Sequence, residues 1–265
     1  MHIMKFIWII QDSGGKHFNW TELYKSVMEC NSYALYVPIE QISFFQLPDG
    51  YIPIVIGGDD YLFLASKNPD LYKGIFNNAL FFSVGNYMKL WKHNYLNYNT
   101  KVISSDILNE EKPPFFIRPF KDDKTIDGHV VRTREEIQDI QLQFGKEECL
   151  FCISSVKNIS KEWRAVIVNS HIVNICRYAV ESQSSVSIED LPLEMISFAE
   201  MCCRDIPEAP LAWVLDVVEY HQKYYVLECN IFNASNYYDC DRKMIVSTVE
   251  EALRGCIQSE TSELS

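Results

Sequence analysis

The sequence holds no apolar run approaching the roughly 18 residues that a membrane-crossing helix needs. Its opening apolar stretch, Phe6 to Ile10, stops at Gln11-Asp12 with no small-residue cleavage site after it. It therefore reads as a first β-strand and not as a secretory leader. Positive charge is also short: 24 Lys and Arg face 36 Asp and Glu, a formal net charge of −12. A surface of that sign repels phosphate backbones, which argues against nucleic acid as a partner; a local basic cluster could still hold a nucleotide. The nine cysteines are odd in number and several sit in apolar runs. That pattern argues against a disulfide framework and for a reducing compartment, the cytoplasm. Cys149-Leu150-Phe151-Cys152 has the gap of a zinc knuckle, but no second pair follows at a zinc-ribbon distance, and both thiols read as core residues of a strand. There is no Ser-His-Asp or Cys-His signature and no internal repeat, and Ser13-Gly14-Gly15 lacks the remaining glycine of a dinucleotide fingerprint.

What the chain does have is apolar mass. Its 265 residues are 48% hydrophobic, enough to bury the core of two modest domains or one large one. The first hundred residues alternate strand and helix signals: Met4 to Ile10 as a strand buried on both faces, then a helix through Trp20, Leu23, Tyr24 and Val27. Asn19 and Glu22 have capping-box spacing at the start of that helix. Short strands follow at 33–37 and 54–56, with a helix near 86–92. This is the rhythm of a small parallel sheet. The charged, proline-ended segment 109–114 marks a boundary, giving an α/β domain over 1–106, a second domain over 107–258 and a polar tail over 259–265. The second domain reads as mostly antiparallel, with a helix capped by Thr133 and Glu136, strands at 149–154, 162–168, 171–178, 211–220 and 224–231, and helices at 192–203 and 248–257.

The richest segment runs from Trp213 to Ile231, where two apolar strands meet at His221-Gln222-Lys223. A hairpin symmetric about Gln222 sets Asp216 opposite Glu228, with Cβ atoms about 5 Å apart. Asn230, two residues on, shares that face. Opposed carboxylates in an apolar sheet need a proton or a cation, and this oxygen-rich set suits magnesium. The alternative is a different register in which Asp216 pairs with a lysine or arginine.

An Asp on one strand and Glu-x-Asn on the next resembles the metal-binding end of the ATP-grasp superfamily. Phe115-Phe116-Ile117-Arg118-Pro119 is similar to the family's strand whose basic residue touches nucleotide phosphates, although many relatives have lysine where Arg118 stands. Residues 162–177, with Glu162, Arg164 and Arg177, resemble its "E-x-R, strand, turn, strand, Arg" hairpin. The resemblance spans about 107–258 and implies an α+β ATP-grasp fold, with the first domain as its pre-grasp unit. It further implies ATP and Mg2+ as cofactors, Asp216, Glu228 and Asn230 as metal ligands, and Arg118, Lys121, Lys124 and Gly128 around the phosphates. Adenine would dock near 152–156, at Ser154, with Glu162 also on the nucleotide side. Arg164 and Arg177 would be catalytic, one steadying an acyl phosphate and the other orienting substrate or γ-phosphate. A two-residue turn sets Glu162 opposite Arg177 with Arg164 on the same face, and a plain cross-strand salt bridge is the alternative there. For Lys121 and Lys124 it is a solvated loop beside Asp122 and Asp123.

The function implied is an ATP-dependent carboxylate–amine ligase acting on small-molecule or peptide substrates, with neither membrane nor nucleic acid as partner. A nucleotide-binding module without turnover, or a small-molecule phosphotransferase, would use the same site. Oligomeric state is not encoded in any motif.

Overall fold

The protein is described from a computed structural model covering residues 4–120, 128–144 and 149–263. The chain opens with β1 (Lys5–Gln11), α1 (Phe18–Glu29), β2 (Tyr33–Val37) and β3 (Tyr51–Ile56), whose strands form a parallel sheet of order β2-β1-β3. β1 is the middle strand and Phe6 to Ile10 are all buried, which is why its apolar run is unbroken. Three helices follow, α2 (Asp59–Ala65), α3 (Pro69–Tyr72) and α4 (Val84–Trp91). One local expectation fails at α1. Its N-cap is His17, without a side-chain cap, and Asn19 lies inside the helix. There the Asn19 Oδ1 accepts from the Tyr237 backbone N–H at 3.1 Å. A contact 218 residues away in sequence has taken the side chain that a local cap would use.

A second sheet is antiparallel, of order β4-β7-β5-β6, from β4 (Lys101–Ser104), β5 (Phe115–Pro119), β6 (His129–Val131) and β7 (Leu150–Ser154). α5 (Arg134–Phe144) covers it through Ile137, Ile140 and Phe144. Its start follows the expected chemistry, with the Glu136 N–H donating to Thr133 Oγ1 at 3.3 Å. β4, assigned from sequence to the first domain, is an edge strand of this sheet.

The third sheet has order β10-β9-β8-β11-β12 and contains β8 (Lys161–Val168), β9 (His171–Val180), β10 (Gln183–Ser187), β11 (Ala212–Tyr220) and β12 (Lys223–Ile231). α6 (Leu193–Cys203) lies between β10 and β11 in sequence, and α7 (Arg242–Glu263) closes the chain. α7 is longer than the expected 248–257 and takes in most of the supposed polar tail. β10 carries no alternating pattern, so nothing in its sequence announced it.

Both faces of this sheet are buried. Val166, Val168, Ala212 and Val214 join Phe6, Trp8 and Ile10 of β1 and Ile245, Val246 and Val249 of α7 in one core. Trp163, Ala165, Ile167, Trp213, Leu215 and Val217 face the other way, toward α4 and α6. Asn233, fully buried after β12, ties this sheet to the first. Its amide donates to the Gly74 carbonyl at 2.9 Å and to that of Val55, and its Oδ1 accepts from the Phe76 N–H at 2.8 Å.

Hairpin register positions everything that follows. Asn169-Ser170 and His221-Gln222 are two-residue turns with positive φ throughout (49°, 63° and 50°, 59°). β11 and β12 start in simple register, Tyr220 opposite Lys223 and Val217 opposite Val226. A bulge at Leu227 then shifts the ladder by one, bringing Glu228 opposite Asp216. The expected pairing is present, but a bulge produces it and not a symmetric turn. In β8 and β9 a bulge at Val173 has the opposite consequence. Arg177 pairs with Trp163, and Glu162 pairs with Ala179 after a second bulge at Tyr178.

Candidate functional site

On the β1-facing side of the third sheet, the apolar pattern gives way to a polar row. Cross-strand pairing sets Arg164 on β8 beside Asp216 on β11, and Asp216 beside Glu228 on β12. Asp216 is only 1% exposed. Its two oxygens accept from Arg164 Nε at 2.8 Å and Nη2 at 2.7 Å, a forked pair suited to guanidinium geometry. Arg164 Nη1 donates to the Asn236 carbonyl at 3.1 Å. Its Cζ lies 5.5 Å and 5.3 Å from the rings of Tyr178 and Tyr238, which stack on each other at 5.0 Å. Arg164 is therefore held on all sides and fixes Asp216. Burial works against its charge, yet the Asp216 carboxylate outweighs it and holds Arg164 protonated. Burial pushes the Asp216 carboxyl up while the guanidinium pulls it down, and Glu228 adds to the upward push.

Glu228 is more open. Its Oε1 accepts from Asn230 Nδ2 at 3.0 Å, and its Oε2 faces Arg118 Nη1 at 3.3 Å. Arg118 comes from β5 of the second sheet, so this contact spans the cleft between two sheets. Gly128, at the entry to β6, lies against the same strand: a Cβ there would sit 2.8 Å from Phe116 Cζ and 3.5 Å from Arg118 Cβ. Beneath the cleft Tyr95 is buried, and its hydroxyl has no partner among the described residues. Burial raises that phenol to about 12.

Glu162 accepts from the Tyr178 hydroxyl at 2.8 Å. Burial pushes its carboxyl above the ordinary range, the tyrosine pulls it down, and Asp216 and Glu228 push it up again. The Glu162–Arg177 pairing expected from sequence is corrected by the Val173 bulge, which turns Arg177 to the other face with Trp163. Arg177 there donates to the Ser185 carbonyl at 3.1 Å and pairs with Asp190, anchoring β10 and the loop that follows. Tyr178, one residue on, occupies the face assigned to it. Tyr178, Tyr238 and the Asn236 carbonyl are the site groups that sequence reasoning missed. The bulge hid the first, and the other two lie in an irregular segment.

Ser154 is buried at the end of β7, its hydroxyl bonded to Asn97 Oδ1 at 3.0 Å, and Lys157 Nζ reaches the same oxygen at 2.8 Å. Burial lowers the Lys157 ammonium. Lys121 and Lys124 lie outside the described residues. Cys149 and Cys152 pack in separate cores, one beside α5 and the other with Trp163. No group of three or more His, Cys, Asp or Glu with metal-ligand geometry occurs among the described residues.

Could the row hold a divalent cation? The donor types fit: two carboxylates and an amide oxygen on one face of a sheet. Arg164 uses one lone pair on each Asp216 oxygen, and a carboxylate offers about four such positions, so an oxygen can serve both partners. Arg164, Asp216, Glu228 and Arg118 also balance in charge, leaving room for an anionic ligand and a cation to arrive together.

A family model described as an ATP-grasp domain, the second family of its clade, matches residues 95–248, more than half of the chain. No curated protein matches the sequence significantly. Several solved structures share the fold. D-alanine–D-alanine ligase from Bacillus anthracis, complexed with ATP, has a TM-score of 0.60 at 12% identity, covering 97% of this chain and 100% of that one. A RimK domain ATP-grasp protein from Sphaerobacter thermophilus gives 0.62 at 12% identity, covering 91% and 99%. The ATP-grasp ligase PsnB, complexed with a minimal precursor, gives 0.59 at 8% identity, covering 94% and 100%. Two opposed sheets with an arginine reaching across to an Asp, Glu-x-Asn row, together with the family match, place this chain in the ATP-grasp domain family.

Proposed function

We propose that the chain is an ATP- and magnesium-dependent carboxylate–amine ligase that makes an amide through an acyl phosphate. The observation that carries this reading is the facing of Asp216, Glu228 and Asn230 by Arg118 across the cleft. Known ligases share the fold, and the row supplies charge neutralisation, which phosphoryl transfer mainly requires. When bound, magnesium would neutralise phosphate charge and act as a Lewis acid, with Glu228, Asn230 and Asp216 as its protein ligands. Arg118 would leave Glu228 for the nucleotide phosphates, a forked cation on an acceptor it matches. Arg164 would act by position: it keeps Asp216 ionised and immobile. Arg177 has no part at this face. The residues around Ser154 and Lys157 would line the adenine end. The chemistry needs no protein nucleophile: the carboxylate takes the γ-phosphoryl group, and the amine then displaces phosphate from the acyl carbon. A peptide carboxylate is within the substrate class, since PsnB is described with a precursor peptide. The nine free thiols support a reducing compartment such as the cytoplasm.

Titration calorimetry with a non-hydrolysable ATP analogue tests the site. Magnesium-dependent binding is expected in the wild type, weakened at least about tenfold by Glu228→Ala and by Arg118→Ala, a loss of roughly 1.4 kcal/mol or more. A folded wild type that binds no adenine nucleotide would sink the ligase reading. One observation favours a second reading, a nucleotide-binding module without turnover: Arg164 already satisfies both oxygens of Asp216. Binding without release of ADP across carboxylate and amine panels would select it. A phosphotransferase would yield a phosphorylated acceptor and no free phosphate.

A further inference from the structure

Beside Arg164 lies a pair of thiols that the ligase reading does not use. Cys176 on β9 is the direct cross-strand partner of Arg164. Cys240, in the segment between β12 and α7, donates its S–H to the Cys176 sulfur at 3.4 Å. Both are buried, and neither is in a disulfide. The Cys240 hydrogen bond lowers the Cys176 thiol, with help from the Asp239 backbone and the Arg164 charge, against the effect of burial. A disulfide has an S–S length of about 2.05 Å, so the two sulfurs need to close by little more than about 1 Å.

The segment carrying Cys240 also builds the site. Its Asn236 carbonyl accepts from Arg164. Its Tyr237 carbonyl accepts from Cys176 Sγ at 3.8 Å, and Tyr238 stacks on Tyr178 beside the Arg164 guanidinium. Asp239 and Asp241, which flank Cys240, are both exposed. A short outward movement of this segment would therefore bring Cys240 to solvent without disturbing the sheet beneath it.

We propose that Cys176 and Cys240 are a reversible dithiol–disulfide pair whose closure pins the Asn236–Cys240 segment onto β9, and with it the groups that hold Arg164. The oxidant is a low-molecular-weight disulfide. One protein thiolate attacks its S–S bond and expels a small thiol; the second protein thiol attacks the mixed disulfide and expels the other. Two protein S–H groups thus lose two electrons and two protons, one protein S–S bond forms, and the small disulfide is reduced to two thiols. The adjacent Cys202-Cys203 pair serves as an internal comparison. Cys203 Sγ already donates to the carbonyls of Ser170 and Glu200, at 3.7 Å and 3.5 Å.

The test uses the full chain incubated natively with glutathione disulfide, followed by thiol counting in denaturant and peptide mapping. The expected result is a loss of two thiols from the nine, a Cys176–Cys240 cross-linked peptide, and full reversal by dithiothreitol. Cys240→Ala should form no intramolecular bridge under the same treatment. Hydrogen exchange over residues 236–241 should slow about tenfold in the oxidised wild type. Retention of all nine thiols, or a bridge mapped elsewhere, overturns the assignment. A correct bridge with unchanged exchange overturns the pinning. The wild-type map needs no variant, so it decides the matter even if Cys240→Ala folds poorly, and it is independent of nucleotide binding.

Discussion

At the scale of the residue, the site is an arrangement of charges that must be balanced before any ligand arrives. Asp216 is almost wholly enclosed, and the Arg164 fork is its counter-charge. Removing one partner of a buried pair strands the other, at a cost of about 3–5 kcal/mol. Arg164→Met should lower stability by that amount in urea unfolding, whereas Arg164→Met with Asp216→Leu should recover most of it. Little recovery in the double variant would mean that the tyrosine stack and the Asn236 contact, more than the charge, define Arg164's role. Glu162 gives a pH test. Its carboxyl is raised in the folded state, mainly by burial, so the folded protein binds its proton more tightly than the unfolded chain does. The stability from that group is full below the ordinary carboxylate range and is lost as pH rises through the raised value. Glu162→Gln, which can still accept from Tyr178, should thus raise the melting temperature at pH 7, with the advantage shrinking on acidification. A gain that grew toward acid would contradict the sign.

At the scale of the element, irregularities in two hairpins decide which side chains meet. A one-residue slip moves every later side chain to the other face. In β12 the Leu227 bulge delivers Glu228 and Asn230 to Asp216, and in β9 the Val173 bulge takes Arg177 away from Arg164. The alternation of apolar residues made all four long strands legible. It could not reveal where an extra residue interrupts the count, because Val173 and Leu227 are as apolar as their neighbours. Asn233 shows the same limit in a turn. It looked like part of the metal motif, yet it is a rivet between sheets, bonded to Val55, Gly74 and Phe76. Asn233→Ala leaves three buried backbone groups without that partner. Its expected cost is roughly 3 kcal/mol by chemical denaturation, with no change in nucleotide affinity beyond that due to unfolding.

At the scale of the whole molecule, the lobes read as separate from sequence share one core. Phe6, Trp8 and Ile10 pack with Val166, Val214 and Ile245. The Trp8 indole N–H donates to Glu250 of α7 at 2.9 Å, and the Ser32 hydroxyl to its other oxygen at 2.9 Å. A chain beginning at residue 107 would expose the whole β1-facing side of the third sheet and lose β4 from the second. We expect it to aggregate, or to bind a hydrophobic dye without a cooperative melt, whereas an independently folding fragment would melt sharply. Composition and periodicity by themselves determined that this chain is an α+β protein, that β1 is buried on both faces, and that carboxylates interrupt an apolar hairpin. These follow from burial, which is written residue by residue. Register, the pairing of Asp216 with Arg164, and the docking of α7 and Asn233 on the first sheet were decided only in three dimensions. Each depends on bulges and long-range hydrogen bonds whose partners lie far apart along the chain, where no local pattern can encode the choice.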